Sequence, residues 1–244
     1  MIRILALLVF VLSASAGLAA ELTVSAAASL ANAFDEMKQA FEKRYPGITV
    51  NTNYAASNPL LRQIAAGAPV DVFASADEAT MDKAENEKVV DPATRRQFAM
   101  NDLVLIVPRG SAPVKGLQDL VNLGHIAIGN PASVPAGRYA RDSLVNAGLW
   151  DKLEHKLILG SSVRQTLDYV ARGEVDAGIV YGTDARQLKD KVEVVQVMDG
   201  HEPVTYPVAV CLTGANQDAA HDFIKFVLSP EGQEILAKYG FAKP

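Results

Sequence analysis

Apolar residues along this chain alternate between short continuous runs and longer segments in which they recur every three or four positions. The run at 22–26 is typical of a buried strand, and the segment 29–45 is typical of an amphipathic helix. The apolar face of that helix consists of Leu30, Phe34, Met37, Phe41 and Tyr45. Repetition of strand, loop and helix indicates βαβ units and a parallel sheet.

The same alternation continues to the end of the chain. Further strands are predicted at 48–53, 70–74, 103–107, 125–128, 157–159, 177–181, 192–198 and 204–212. Further helices are predicted at 59–66, 78–88, 94–98, 137–147 and 163–172, in a segment ending at 188, and at 217–228 and 230–239. The pattern predicts an α/β fold with two lobes, each a mostly parallel sheet flanked by helices, joined by a double crossover that serves as a hinge.

The two long extended segments set the expected division of the chain. We expect the first lobe to comprise 20–102 plus 207–244, because the C-terminal helices return to it, and the second lobe to comprise 103–206. In sheets of this type, ligands bind beyond the carboxyl ends of the strands. A two-lobed protein binds its ligand in the cleft between the lobes.

Residues 1–19 do not follow the α/β pattern. They carry one charge, Arg3, followed by an apolar run at 4–12 and a tail of small residues. Such a run is too short to span a bilayer as a stable helix and is typical of a secretory signal peptide. Gly17 and Ala19 suit a cut after Ala19, so we expect export after cleavage there; an uncleaved membrane anchor is the alternative.

Composition excludes several kinds of partner and site. The 244 residues include 23 Lys plus Arg and 28 Asp plus Glu, a net charge of −5 without a basic run, so no nucleic-acid partner is expected. Removing 1–19 removes only the charge of Arg3, which leaves −6. A single cysteine, Cys211, and four scattered histidines exclude a disulfide and the usual metal-ligand spacings. No nucleophile is paired with a base, so an enzyme is not supported and no cofactor is expected.

Four predicted loops that precede helices are small and uncharged. They read AAAS, AASNP, SVPAG and GSSV and end near residues 29, 59, 137 and 163. Helix N-termini present unpaired N–H groups and a partial positive charge of about +0.5 each, so four together suit a small dianion. Taken singly, Ser29, Ser57 and Ser162 are more typical of helix caps. Pro59 is expected as the first residue of its helix.

Several motifs resemble one family. AAASL, FEKRYPGITV, RQIAAGAPVDVFASAD, VPAGRYA and GIVYGTDA, spread over residues 26–185, resemble the periplasmic molybdate-binding proteins of bacterial ABC transporters. YPGI and DVFASAD occur in the wider superfamily of type II solute-binding proteins, whereas VPAG with GIVYGTDA and AAAS is narrower. The resemblance implies the two-lobed periplasmic-binding-protein type II fold, a location in the periplasm, a monomer, and an inner-membrane ABC permease with its ATPase as partners.

The resemblance also implies a set of ligand residues. Ser29 and Ser57 match serines that give a hydroxyl and a backbone N–H, Ala136 and Val163 match residues that give backbone N–H groups, and Tyr181 matches a tyrosine that gives its hydroxyl. The ligand would be molybdate or tungstate, and the metal would be the one inside the oxyanion. Asn58 and Pro59 depart from the family pattern, in which another Ser or Gly follows the second serine.

Acid–base chemistry agrees with a set of donors alone. Molybdate, tungstate and sulfate are fully deprotonated at neutral pH and only accept hydrogen bonds, whereas phosphate keeps a proton that needs an acceptor. Sulfate is smaller than molybdate, so size is expected to separate them. The alternatives are a receptor of the same fold for sulfate or ferric iron, and a secreted hydrolase that uses Ser29 or Ser57.

Four charged residues close to the motifs are expected to have structural roles. Arg138 and Arg164 directly follow the second-lobe loops, and we expect their side chains to leave toward the outer face, as surface or lobe-contact residues. Asp71 and Asp77 flank VFASA and are expected to cap and position turns, because unpaired carboxylates would repel a dianion.

Overall fold

The computed structural model describes residues 20–244, which form ten strands and nine α-helices. The strands are β1 Ala20–Ala27, β2 Ile48–Ala55, β3 Val72–Ala74, β4 Arg96–Asn101, β5 Leu103–Pro108, β6 Ile126–Gly129, β7 Leu157–Gly160, β8 Ala177–Tyr181, β9 Val192–Val197 and β10 Val204–Val210. The helices are α1 Ala31–Arg44, α2 Ser57–Ala65, α3 Glu78–Asn86, α4 Pro135–Asn146, α5 Trp150–Leu153, α6 Val163–Ala171, α7 Gly182–Gln187, α8 Gln217–Leu228 and α9 Pro230–Lys238. The predicted signal peptide, 1–19, lies outside the described residues.

The strands form two five-stranded sheets of the same design. The first has the order β2-β1-β3-β10-β4 and the second the order β7-β6-β8-β5-β9. In each sheet the first three strands are parallel, and the other two are added antiparallel. The predicted α/β fold with two lobes is therefore confirmed.

The chain crosses between the sheets twice. It leaves the first sheet after Asn101 at the end of β4, enters the second at Leu103, and returns between β9 and β10. β10 pairs with β4 from its first residue, Val204. By strand pairing, residues 204–206 therefore go with the first sheet, although the predicted boundary lay at 207. The uniform apolar composition of the run 204–212 gives no sign of where pairing begins.

The C-terminal helices pack on the first lobe through aromatic side chains. Phe223 and Phe226 of α8 contact Phe41 of α1 edge to face, and Phe223 also contacts Phe34. Such pairs stabilise a core beyond the area that they bury. α1 is thereby fixed, together with the loop that precedes it.

Two local predictions were wrong. The predicted helix at 94–98 is a 3₁₀ turn, Pro92–Thr94, followed by strand β4, which pairs with β10 across more than a hundred residues of sequence. This pairing buries Phe98 and Ala99, and a contact so distant leaves no local signal. α2 begins at Ser57 rather than Pro59, which is its third residue. A proline is tolerated there because first-turn N–H groups have no acceptor inside the helix.

Membrane and metal features were searched in the same part of the chain. Within residues 20–244, no helix has the length and apolar character needed to cross a membrane. The same residues bring together no group of three His, Cys, Asp or Glu side chains that could hold a metal ion. Cys211 is buried in a small apolar cluster with Phe73 and Val90, as predicted.

Candidate functional site

A cavity of about 200 Å³ lies where the carboxyl ends of strands from both sheets meet. Its walls are Ala27, Ala28, Ser29, Ala56, Ser57, Ala76, Val134, Pro135, Ala136, Val163 and Tyr181. The structure thus brings together all five residues selected from the sequence, three from helix starts and two from the ends of strands or short turns. None of the lining residues carries a formal charge, and all are buried or nearly so.

Helix starts at the cavity lack side-chain caps. Ala56 precedes α2 and Val134 precedes α4, and neither has a side chain that can accept a hydrogen bond from the first turn. The 3₁₀ turn Ala28–Leu30 is likewise uncapped. By contrast, Ser162 caps α6 by accepting from the Gln165 N–H at 3.2 Å. The uncapped N–H groups are free to bind an anion in the cavity.

Ser57 is therefore not a helix cap. It is the first residue of α2, and its Oγ accepts a hydrogen bond from the Ala76 N–H at 3.0 Å. That bond occupies a lone pair of the hydroxyl and leaves its hydrogen for another acceptor. Ser57 is fully buried and lines the cavity, so the acceptor that fits is one inside the cavity.

Tyr181 closes the cavity from the second lobe. Its Oη donates to the backbone oxygen of Ala76 in the first lobe at 3.4 Å, a long bond that a better acceptor would displace. Burial raises the pKa of Tyr181 well above its usual value. The phenol therefore keeps its proton at neutral pH and can serve as a donor. Ala76, which the sequence did not single out, contacts both Ser57 and Tyr181.

The prediction that Arg138 points outward was wrong. Arg138 follows the start of α4 in the second lobe, and its Nε donates to Asp77 Oδ2 at 3.0 Å in the first lobe. Its Nη2 contacts the same carboxylate and donates to Thr80 Oγ1 at 2.8 Å. The Asp77 side chain is only 4% exposed, so the ion pair is largely shielded from water. Arg138 is a lobe-contact residue and does not line the cavity.

Arg164, predicted to behave in the same way, also turns inward. It is the second residue of α6, and its Nη2 donates to the backbone oxygen of Ser29 in the first lobe at 3.3 Å. Its guanidinium also forms an ion pair with Asp184 of α7. A side chain from the second lobe thus contacts the turn that carries Ser29.

Asp184 is fully buried, and the sequence gave no sign of its role. Burial raises the pKa of Asp184 to about 6, while the positive charge of Arg164 opposes the shift. The folded protein therefore binds a proton at Asp184 more readily than the unfolded chain does. The stabilisation from this proton is complete below the unfolded pKa of 3.8 and is lost as the pH rises through about 6.

This pKa shift predicts a pH-dependent effect of Asp184→Asn. As the pH falls from 7 to 4, the wild-type protein should become more stable relative to the variant, because only the wild type takes up the extra proton. Urea unfolding of both proteins at several pH values measures the difference, and other carboxyl groups cancel in the comparison. A difference that is independent of pH, or that narrows in favour of the variant, would contradict the raised pKa.

The two aspartates that flank VFASA have the predicted roles. Asp77 caps α3 by accepting from the Thr80 N–H at 3.2 Å. Asp71 accepts from the backbone N–H groups of Thr23 and Asn216, at 2.7 and 2.9 Å. Both carboxylates are thus engaged, and neither lines the cavity.

A larger cavity lies nearby but has the wrong charge for an anion. It encloses about 810 Å³ beside Arg138 and Tyr139, and its walls include four carboxylates. These belong to Asp77, Glu78, Asp142 and Glu202. The repulsion from four acidic side chains disfavours a dianion there, so the smaller neutral cavity is the better site for an oxyanion.

Comparison with known proteins identifies the family. A model of the bacterial extracellular solute-binding proteins matches residues 22–242. This chain belongs to that family. The extracellular location in the family's description agrees with the predicted export, whereas the cut after Ala19 falls outside the described residues.

Individual relatives of this solute-binding protein cover most of its length. The molybdate-binding protein ModA of Escherichia coli (strain K12) is 41% identical over 229 residues, which span 91% of this chain and 88% of the relative. The structure of the periplasmic molybdate-binding protein of Azotobacter vinelandii matches with a TM-score of 0.79 and 25% identity, over 91% of this chain and 99% of that one. The resemblance to this family inferred from the motifs is confirmed.

The fold alone does not select an anion. The sulfate-binding protein SubI from Mycobacterium tuberculosis H37Rv matches with a TM-score of 0.83 over 92% of this chain and 87% of that one. At 19% identity, this likeness shows a shared fold only. The choice of ligand therefore depends on the side chains and the size of the cavity.

Proposed function

We propose that this solute-binding protein captures molybdate or tungstate in the neutral cavity between its lobes and delivers it to the inner-membrane permease of an ABC transporter. The observation that carries the proposal is the cavity itself, which is buried, uncharged and surrounded by donors. A fully deprotonated oxyanion accepts hydrogen bonds at every oxygen and needs no acceptor from the protein. Similarity to molybdate-binding proteins supports the same ligand.

The proposed ligand shell uses five residues. Ser29 and Ser57 would donate through their hydroxyl and backbone N–H groups, and Tyr181 through its hydroxyl. Ala136 and Val163 would donate backbone N–H groups from the starts of α4 and α6. Both helix starts belong to the second lobe and both serines to the first, so one ligand would hold the two lobes together.

The alternatives find less support in the described residues. Ferric iron prefers carboxylate and phenolate oxygens, but Tyr181 is the one such side chain among the residues that line the cavity. A serine hydrolase needs a base beside its nucleophile, but the partners of Ser29 and Ser57 are the Tyr206 hydroxyl and the Ala76 N–H. A sulfate receptor remains the nearest competitor, since sulfate has the same charge and shape as molybdate.

Calorimetric titration of one preparation with molybdate, tungstate, sulfate and phosphate tests the proposal. We expect molybdate and tungstate to bind tightly, sulfate to bind more weakly because fixed helix starts cannot close onto a smaller ion, and phosphate to bind weakest. An unpaired phosphate proton costs about 1–3 kcal/mol in a dry site, roughly five- to 150-fold in affinity. Tighter binding of sulfate than of molybdate would make the protein a sulfate receptor.

We further propose that the exported protein begins at Ala20 and acts as a monomer, and that an ATPase drives its permease. On the strand pairing, the lobe boundaries would be 20–102 with 204–244, and 103–203. Mass spectrometry of the protein recovered from the periplasm would give the mature N-terminus. Light scattering of the purified protein would give its oligomeric state.

A further inference from the structure

The hydroxyl of Ser29 has a second neighbour besides the cavity. Its Oγ lies 3.0 Å from the Oη of Tyr206, which is fully buried and belongs to β10. Either oxygen could donate in this hydrogen bond. The direction matters, because it decides whether Ser29 presents a hydrogen or a lone pair to a ligand.

The side chain of Asn101 sets that direction. Its Oδ1 accepts from the backbone N–H groups of Asp102 at 3.0 Å and Thr183 at 3.4 Å. Rotating the amide by 180° would place its NH₂ group against these two donors, so the orientation is fixed. The Nδ2 then donates to Tyr206 Oη at 3.1 Å and to Thr183 Oγ1 at 2.8 Å.

Tyr206 therefore accepts from Asn101 and must send its own hydrogen elsewhere. Within residues 20–244, Ser29 Oγ is the other hydrogen-bond partner of the Tyr206 hydroxyl. Burial raises the pKa of Tyr206 well above its usual value, so the phenol retains its proton. With Tyr206 as donor, Ser29 accepts from it and turns its own hydrogen toward the cavity.

We propose that Tyr206, oriented by Asn101, is a specificity-determining residue that makes Ser29 a donor and thereby favours fully deprotonated oxyanions over hydrogen phosphate. This inference rests on the proposed function of the cavity. Tyr206 does not line the cavity, so it acts through Ser29 as a positioning residue. Without it, the Ser29 hydroxyl can rotate and accept the proton of a protonated anion.

The backbone around Tyr206 supports a dedicated position for this side chain. The register of β10 against β4 shifts between Tyr206 and Pro207, a β-bulge. Bulges re-aim side chains, and a proline in a strand paired on both sides is tolerated at such a point. Asn101 ends β4, directly before the crossover to the second lobe, so both residues adjoin the predicted hinge.

Tyr206→Phe tests the proposal by changing the selectivity of binding. We expect the ratio of molybdate affinity to hydrogen phosphate affinity, measured by calorimetry at one pH, to fall about tenfold, equivalent to about 1.4 kcal/mol. Tyr239→Phe is the matched control, since it removes a hydroxyl that donates to Glu36 at the outer contact of α9 with α1. This control should leave the ratio unchanged. An equal loss of affinity for both anions, or no loss, would overturn the proposal.

A second measurement needs no ligand and separates this inference from the proposed function. In ligand-free protein, the Tyr206 hydroxyl proton should be protected from exchange, and NMR spectra of Tyr206→Phe would identify its resonance by subtraction. Ser29→Ala removes the acceptor, so the resonance should shift and exchange faster. A resonance unaffected by Ser29→Ala would overturn the relay, whatever the protein binds. Failure of wild-type protein to bind any of the four oxyanions would instead overturn the proposed function.

Discussion

Ser57→Ala and Ser29→Ala are each expected to weaken molybdate binding tenfold or more. Each change removes one hydrogen bond to a charged ligand in a buried site, and such bonds contribute about 1.5–3 kcal/mol. Since about 1.4 kcal/mol corresponds to tenfold in affinity, the loss lies between roughly tenfold and 150-fold. Calorimetric titration of the purified variants with molybdate measures it.

Ser143→Ala provides a matched control for both serine variants. Ser143 is also buried, but its Oγ donates to the backbone oxygen of Asp199, and it does not line the cavity. Its replacement should lower the free energy of unfolding without changing affinity. If both cavity variants bind molybdate as tightly as the wild type, the ligand lies elsewhere in the molecule.

Gly137→Ala is expected to cause the largest loss of stability. A Cβ at this position in α4 would lie 2.0 Å from the backbone oxygen of Gly129 in β6, far inside contact distance. Neither backbone can move independently of its helix or strand, so the free energy of unfolding should fall by about 3 kcal/mol or more. Because the start of α4 carries Ala136, moving the helix should weaken molybdate binding as well. Urea unfolding and calorimetry give the two quantities.

Gly182→Ala is the corresponding control for the glycine variant. The first atoms that its added Cβ would meet lie at 3.8 Å, an ordinary contact distance. It should therefore fold with nearly wild-type stability. Equal stability of Gly137→Ala and Gly182→Ala would show that α4 does not need its close approach to β6.

Local sequence patterns predicted those parts of the fold that depend on near neighbours. The alternation of strand and helix from β1 to α2 is set by apolar spacing over a few residues, and the structure matches it closely. Strand β4 was missed because its partner β10 lies more than a hundred residues away. Tertiary pairing overrides local propensity in such a segment.

The candidate site divides in the same way. Small loops before helices pointed to Ser29 and Ser57, and family resemblance supplied Ala136, Val163 and Tyr181. The supporting side chains were not predictable, because Tyr206 lies 177 residues from Ser29 along the chain. A lone tyrosine in an apolar run looks like a core residue until its hydroxyl partner is known.

The two inward-turned arginines differ in what happens to their charge if the lobes separate. Arg164 keeps its counterion, since Asp184 belongs to the same lobe. Arg138 does not, because Asp77 lies in the opposite lobe. Arg138 also follows the positive end of α4, where a cation is electrostatically frustrated without a nearby carboxylate. Opening therefore separates one specific pair of charges, and this attraction favours the closed arrangement even when the cavity is empty.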